Sequence, residues 1–546
     1  MTNKLHISVL AVALLALGAC TGSKPADRNS SQIEASTSGP VAETAYGKVA
    51  GYNIDGINIY KGIPYAEAGR FEAPHAPKAW EGIRSSRAYG PTAPQGERAG
   101  WRSDEQAFAF NWDDGYPGED CLRLNIWAPA KEGEKRPVMV WLHGGGYAAG
   151  SGQELPSYDG KNLAGKEDVV VVTLNHRLNA LGFLDLSSFG EKYSVSGNLG
   201  LLDLVAALKW VNENIEAFGG DASNVTIFGQ SGGGGKVSTL LATPAAKGLF
   251  HKAIVQSGSM NRTMESKWSQ RIGQETVRNL GLTAANIDDI SVVPYKDLLA
   301  AGTKAIATVQ EEAQKEGINS FMFGWAPTVE GNVLPRQPFD PEAPAQSRDI
   351  PMMIGTTAHE FTASTYVPAL AAMTDDEIKD AVRQRYGDKA EAFMAAVDEA
   401  YPGHRALDYM DVDVIFRPNA VAQAKIKSEQ GGAPVYMYLF GWESPVIDGK
   451  FRATHCMEIP FVFANTDVHN TMTGGTDSAR ALGDKMSAAW AAFARTGNPN
   501  AAGLPVWEPY TAENGNTMFF ADECKILNNH DAKLMEVMST LPVRGF

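Results

Sequence analysis

The sequence predicts an α/β fold: a large, mostly parallel central sheet flanked by helices, with helical insertions. Three observations point there. Residues 138–142 (VMVWL) and 169–174 (VVVVTL) are short apolar runs without polar alternation, as expected of strands buried on both faces of a parallel sheet. Residues 201–218 place apolar side chains at 201, 204, 205, 208, 211, 215 and 218, a helical spacing. Gly219-Gly220 stops that helix, and residues 225–228 (VTIF) read as the next strand, followed by a short glycine-rich turn and a helix to Leu241. Strand and helix therefore alternate, the signature of helices packed over a sheet. Further strands are expected at 253–256 (AIVQ), 352–354 and 435–440 (VYMYLF), while 262–320 and 362–430 are mostly helical in pattern and read as insertions beside the sheet.

The 546 residues carry 48 Lys+Arg against 63 Asp+Glu, a net charge of −15. Phosphate backbones are bound through clustered basic residues, and the absence of any basic run argues against a nucleic-acid partner. Four cysteines in this length exclude a disulfide scaffold. Lys4 precedes an uncharged apolar run at 7–18, too short to cross ~30 Å of hydrocarbon as a helix. Residues 1–19 thus read as an export signal. Leu17-Gly18-Ala19-Cys20 resembles the lipobox of bacterial lipoproteins. The resemblance implies that Cys20 becomes the lipid-carrying first residue of a protein of the bacterial cell envelope, touching the membrane only through that anchor. Thr21 after the cysteine resembles sorting to an outer membrane where the host has two. Residues 20–44 are Ser/Thr/Ala-rich and nearly free of large apolar side chains, so a flexible tether is expected there. Residues 45–546 show no second linker or internal repeat and read as one large domain.

Gly229-x-Ser231-x-Gly233 sits between the VTIF strand and a helix. A serine on such a sharp turn projects its hydroxyl clear of the backbone, and the flanking glycines avoid clashes at the bend. Ser231 is therefore the candidate nucleophile. A serine hydroxyl needs a base to take its proton and an acid to orient that base. His143-Gly144-Gly145-Gly146 follows the VMVWL strand, the context of backbone amides that stabilise an oxyanion. Residue spacing alone does not choose among the ten histidines. His359, beside Glu360, is a rival base, but adjacent residues on an extended segment point opposite ways.

These motifs, with GEDCLRLNIWAP (118–129), NHRLNALGF (175–183), PTVEGNVLP (327–335), IGTTAHE (354–360), ATHCMEIPFVF (453–463) and WAAFARTGNPN (490–500), resemble the type-B carboxylesterases, the cholinesterase-like branch of the α/β-hydrolases. The stretches run in family order and cover nearly everything after the tether. The resemblance implies an α/β-hydrolase catalytic domain over 45–546 and a serine carboxylic-ester hydrolase acting on a small-molecule ester. It makes Ser231 the nucleophile, His455 the general base and Glu360 the orienting acid. Gly145, Gly146 and Gly232 would supply the oxyanion-hole amides. Glu458, three residues after His455, reads from its position as a supporting carboxylate behind that imidazole. No metal or cofactor is implied, and no clustered His/Cys/Asp spacing suits zinc.

The chain departs from the family where many relatives carry Glu before the nucleophile and Ala after it: here these are Gln230 and Gly232. Gln230 removes a carboxylate that would favour cationic substrates. The family's usual partner for Cys121 is replaced by Ala93, so Cys121, Cys456 and Cys524 are expected to be free buried thiols. Two alternatives remain beside the esterase: a lipase with interfacial activation, and a catalytically silent binding module of the same scaffold. Substrate pockets are expected in the loops at 60–115 and 262–345.

Overall fold

The computed structural model describes residues 32–541, apart from 38, 97–102, 114, 132, 134 and 319–322. The expected signal peptide, Cys20 and most of the tether lie outside the described residues. A 12-stranded sheet runs through the molecule. Numbered in chain order, its strands are β1 (Ile33–Glu34), β2 (Tyr52–Ile54), β3 (Ile57–Pro64), β4 (Arg123–Pro129), β5 (Arg136–Leu142), β6 (Val170–Leu174), β7 (Gly220–Gln230), β8 (Lys252–Gln256), β9 (Met352–Thr357), β10 (Val435–Phe440), β11 (Asn516–Phe520) and β12 (Lys525–Asn528). Their spatial order is β1-β2-β3-β4-β6-β5-β7-β8-β9-β10-β11-β12. Every neighbouring pair from β6 to β11 is parallel, and the pairs outside that block are antiparallel.

The unalternating apolar runs follow from burial on both faces. Val138, Val140 and Leu142 of β5 pack on one side with α1 (Leu199–Asn214) and α2 (Gly232–Ala242). Met139 and Trp141 face the opposite side, where Phe463 and Trp490 meet them. Each face must be covered because a parallel sheet exposes no polar side to water. The predicted insertions are helical: α3 (Ser266–Asn279) and α4 (Tyr295–Lys315) build a separate core with Leu181, Phe183 and Trp325. Residues 363–429 contribute several helices, including α5 (Phe416–Glu429); those before 412 share a small core with the C-terminal helix Ala532–Ser539. Among the described residues, no helix is long and apolar enough to cross a membrane.

Residues 32–44, expected in the tether, are instead partly strand. Ile33–Glu34 pairs with β2, and Val41–Thr44 pairs antiparallel with Gly47–Ala50. Ladder hydrogen bonds need no bulky side chains, so a composition poor in large apolar residues misjudged this stretch. Ala42 and Thr44 point inward, and the Ala45 amide donates to Asn214 Oδ1 at 2.7 Å.

After β6, the 175–183 segment is pinned by a buried ion pair. Arg177 donates from Nη2 to Asp203 Oδ1 at 2.6 Å and from Nε and its backbone amide to Oδ2 at 2.9 and 3.0 Å. Asp203 lies on α1, so the pair joins that segment to the helix layer. The pinned segment then supports its neighbour: the Asn179 amide donates to the Tyr147 carbonyl, and its side chain to those of Pro94 and Ala148.

Candidate active site

Ser231 stands between the end of β7 and the start of α2, with φ 58° and ψ −126°. An L-residue is strained there, and the neighbourhood holds it: the Ser231 amide donates to the Gln256 carbonyl at 2.8 Å, and the Gly235 amide to the Ser231 carbonyl at 3.0 Å. A side chain on Gly233 would run into the carbonyl of Leu142 at the end of β5. That close approach is why the turn requires glycine.

His143–Gly146 leaves the end of β5, with Gly145 and Gly146 at φ 87° and 57°. Their amides have no acceptor among the described residues. Gly232 opens α2, where a first-turn N–H has no intrahelical partner. A Cβ on Gly232 would lie 2.7 Å from the Gly146 nitrogen, so these amides gather beside Ser231. Such a cluster can stabilise a developing negative charge.

Glu360 and His455 are brought together. His455 Nδ1 lies 2.5 Å from Glu360 Oε2, and the His455 amide donates to the Glu360 carbonyl at 2.7 Å. The other carboxylate oxygen accepts from the Thr357 amide at 2.9 Å, which ties Glu360 to the end of β9. The imidazole is flanked by Phe361 and Phe416, with ring centroids 4.7 and 5.1 Å away. Ser231 is not hydrogen-bonded to His455 in this structure. Instead Gln230 Nε2 lies 3.3 Å from both imidazole nitrogens, while its Oε1 accepts from Cys456 Sγ at 3.2 Å. Catalytic hydrogen bonds are often long without substrate and tighten in its complex.

His359 points elsewhere. It is half-buried, and the loss of water around its ring together with the Arg452 charge pushes its pKa down to about 3. Glu458 is fully buried and accepts from Gln256 Nε2 at 3.2 Å. Burial, and then the charge of Glu360, push its pKa up to about 7. Asp413 responds likewise, also to about 7, although it accepts from the amides of Ile415, Phe416 and Arg417. Cys121, Cys456 and Cys524 are free, as expected, but only Cys121 is fully buried; Cys456 and Cys524 are half-buried.

A cavity of about 1120 Å³ opens over Ser231, Gly146 and Gly232, walled by Trp268, Phe323, Trp325 and Phe416. Sequence reasoning missed Phe361, Phe416 and Asp413. Phe361 has a local signal, being next to Glu360, whereas Phe416 and Asp413 reach the site only through the fold. Among the described residues, no group of three or more His, Cys, Asp or Glu is arranged to hold a metal.

A strained serine on a strand–turn–helix, a carboxylate-held imidazole and a cluster of free amides, all carried on a parallel sheet, define an α/β-hydrolase. The chain belongs to the carboxylesterase family, whose model matches residues 38–536. It is 39% identical over 502 residues to para-nitrobenzyl esterase of Bacillus subtilis (strain 168), covering 90% of this chain and 97% of that protein. It is 33% identical over 505 residues to phenmedipham hydrolase of Pseudarthrobacter oxydans, covering 89% and 95%. Among solved structures, an esterase from Clostridium hathewayi, described as able to hydrolyse aliphatic aromatic polyesters, superposes with a TM-score of 0.82 at 36% identity, covering 94% of this chain and 100% of that one.

Proposed function

We propose that this enzyme hydrolyses small-molecule carboxylic esters through an acyl-enzyme on Ser231. The Glu360–His455 pair, set beside a strained serine with free amides next to it, carries this reading. His455 accepts the Ser231 proton at Nε2 as Oγ bonds to the ester carbonyl carbon. The carbonyl oxygen becomes an oxyanion facing the amides of Gly145, Gly146 and Gly232. His455 then protonates the alcohol oxygen as its bond to the acyl carbon breaks. A water, deprotonated by the same imidazole, attacks the acyl-enzyme and releases the acid. Glu360 keeps the proton on Nδ1 and offsets the imidazolium charge. Gln230 yields its place at Nε2 to the serine hydroxyl when substrate binds.

The largely apolar cavity wall favours esters with bulky apolar groups, and Gln230 sets no carboxylate beside Ser231 to draw in a cation. An intact serine, imidazole and carboxylate weigh against a silent binding module. The full chain is an envelope protein anchored by a lipid on Cys20; labelled palmitate should enter it and not its Cys20→Ser variant, and incorporation unchanged in that variant overturns the anchor.

Intact-protein mass after a fluorophosphonate, alongside p-nitrophenyl acetate and butyrate turnover, tests the esterase reading. One adduct and turnover in the wild type, both absent in Ser231→Ala, are expected. A folded wild type with neither would sink it.

A further inference from the structure

Lys236 is a cation where the fold has no packing need for one. It lies on α2, is fully buried, and has one hydrogen-bond acceptor among the described residues: Nζ donates to the His143 carbonyl at 2.8 Å. That carbonyl opens the loop from which Gly145 and Gly146 present their amides. The ammonium also sits 5.6 Å from the centre of the Tyr147 ring, the next residue of the loop. Burial pulls its pKa down to about 7, opposed by the negative charge of Glu154. Holding an ammonium away from water is costly unless it is well compensated, and a methionine would fill the same space without that cost.

The far foot of the loop is held by the opposite charge. Glu154 Oε2 accepts from the Ser151 amide at 2.5 Å, and Gln95 Oε1 accepts from the Gly150 amide at 2.8 Å. The loop 143–151 is thus pinned at its start by a cation on the helix that follows the nucleophile, and at its end by an anion.

We propose that Lys236 is a positioning residue for the ester hydrolysis proposed above: by holding the His143 carbonyl from α2, it sets the Gly145 and Gly146 amides against the oxyanion that forms on Ser231. The reasoning follows from the geometry of oxyanion stabilisation, which demands donors at the place the charge will occupy rather than where the ground-state carbonyl sits. A tether from the nucleophile's own helix keeps serine and donors in one frame.

The test compares wild type with Lys236→Met at pH 6.5, using p-nitrophenyl butyrate, a trifluoromethyl ketone that adds to the serine as an oxyanion, and the matching methyl ketone. Expected are a fall in kcat of about tenfold to a hundredfold, KM within about threefold, and a loss of trifluoromethyl ketone affinity that tracks kcat/KM. Methyl ketone binding should stay unchanged, which a general distortion of the site would not allow. Lys236→Met with kcat within twofold of wild type, or equal losses for both ketones, overturns the inference. Should that variant not accumulate as folded protein, the double variant Lys236→Met with Glu154→Gln removes both buried charges and is compared with Glu154→Gln alone. The double variant must show the selective loss relative to Glu154→Gln, and a kcat equal to that of Glu154→Gln overturns the inference. Absence of turnover in the wild type would instead strike the esterase reading itself.

Discussion

Glu360 and His455 are joined twice, once through side chains at 2.5 Å and once through backbone, where the His455 amide donates to the Glu360 carbonyl at 2.7 Å. The second bond fixes the main chain of the base to that of its acid, so the imidazole cannot leave the carboxylate by a shift of either loop alone. The Glu360 side chain in turn hangs from the Thr357 amide at the end of β9. The pair is a rigid unit mounted on the sheet.

Glu360→Gln keeps an acceptor for the Thr357 amide but no longer enforces the proton on Nδ1. A fall in kcat of roughly 10³–10⁴-fold with little change in KM is expected, as for comparable triads. Steady-state kinetics on p-nitrophenyl butyrate check this, and a loss below tenfold would remove Glu360 from the mechanism.

Glu458 makes stability depend on pH. Its folded pKa is raised from the ordinary glutamate value to about 7 by burial and by the Glu360 charge. Between those two values the folded state holds the proton more tightly than the unfolded chain. Its stabilising contribution is therefore complete at low pH and is lost as pH rises to about 7, then stays constant. Glu458→Gln removes that slope, so the variant should gain on the order of 2–3 kcal/mol relative to wild type between pH 5 and pH 8. Urea unfolding across that range measures the difference; a gap that does not change with pH refutes it.

Asp203→Ala strands the buried Arg177 guanidinium without its carboxylate. Breaking such a pair from one side costs about 3–5 kcal/mol, readable as a lower urea midpoint. Because Asn179, a few residues on, holds the Tyr147 and Ala148 carbonyls, kcat should fall as well. A change in stability below about 1 kcal/mol would contradict the assignment.

What the sequence discloses depends on how local the cause is. The turn carrying Ser231 is legible because strand, glycines and helix are contiguous and each has its own pattern. Strands buried on both faces announce themselves through runs such as VVVVTL, since no position in them can be polar. Glu360 and His455 lie 95 residues apart, and only family resemblance selected them from the other carboxylates and histidines. Lys236, Asp413 and Phe416 matter through burial and neighbours that only the fold creates. Residues 33–34 and 41–44 show the opposite failure: their composition concealed strands whose ladder bonds need no large apolar side chains.

The order of the parts along the chain bears on how the protein is made. The serine turn, its glycine loop and the strands that hold them are complete by β8, whereas the imidazole arrives with residue 455 and the parallel sheet closes only at β11. At ribosomal rates of roughly 5–20 residues per second, domains form from the N-terminal side as synthesis proceeds. The stretch between Ser231 and His455 thus takes on the order of ten seconds or more to synthesise. Prematurely released fragments ending before residue 455 carry an inert hydroxyl, so hydrolytic power appears only once translation is nearly finished.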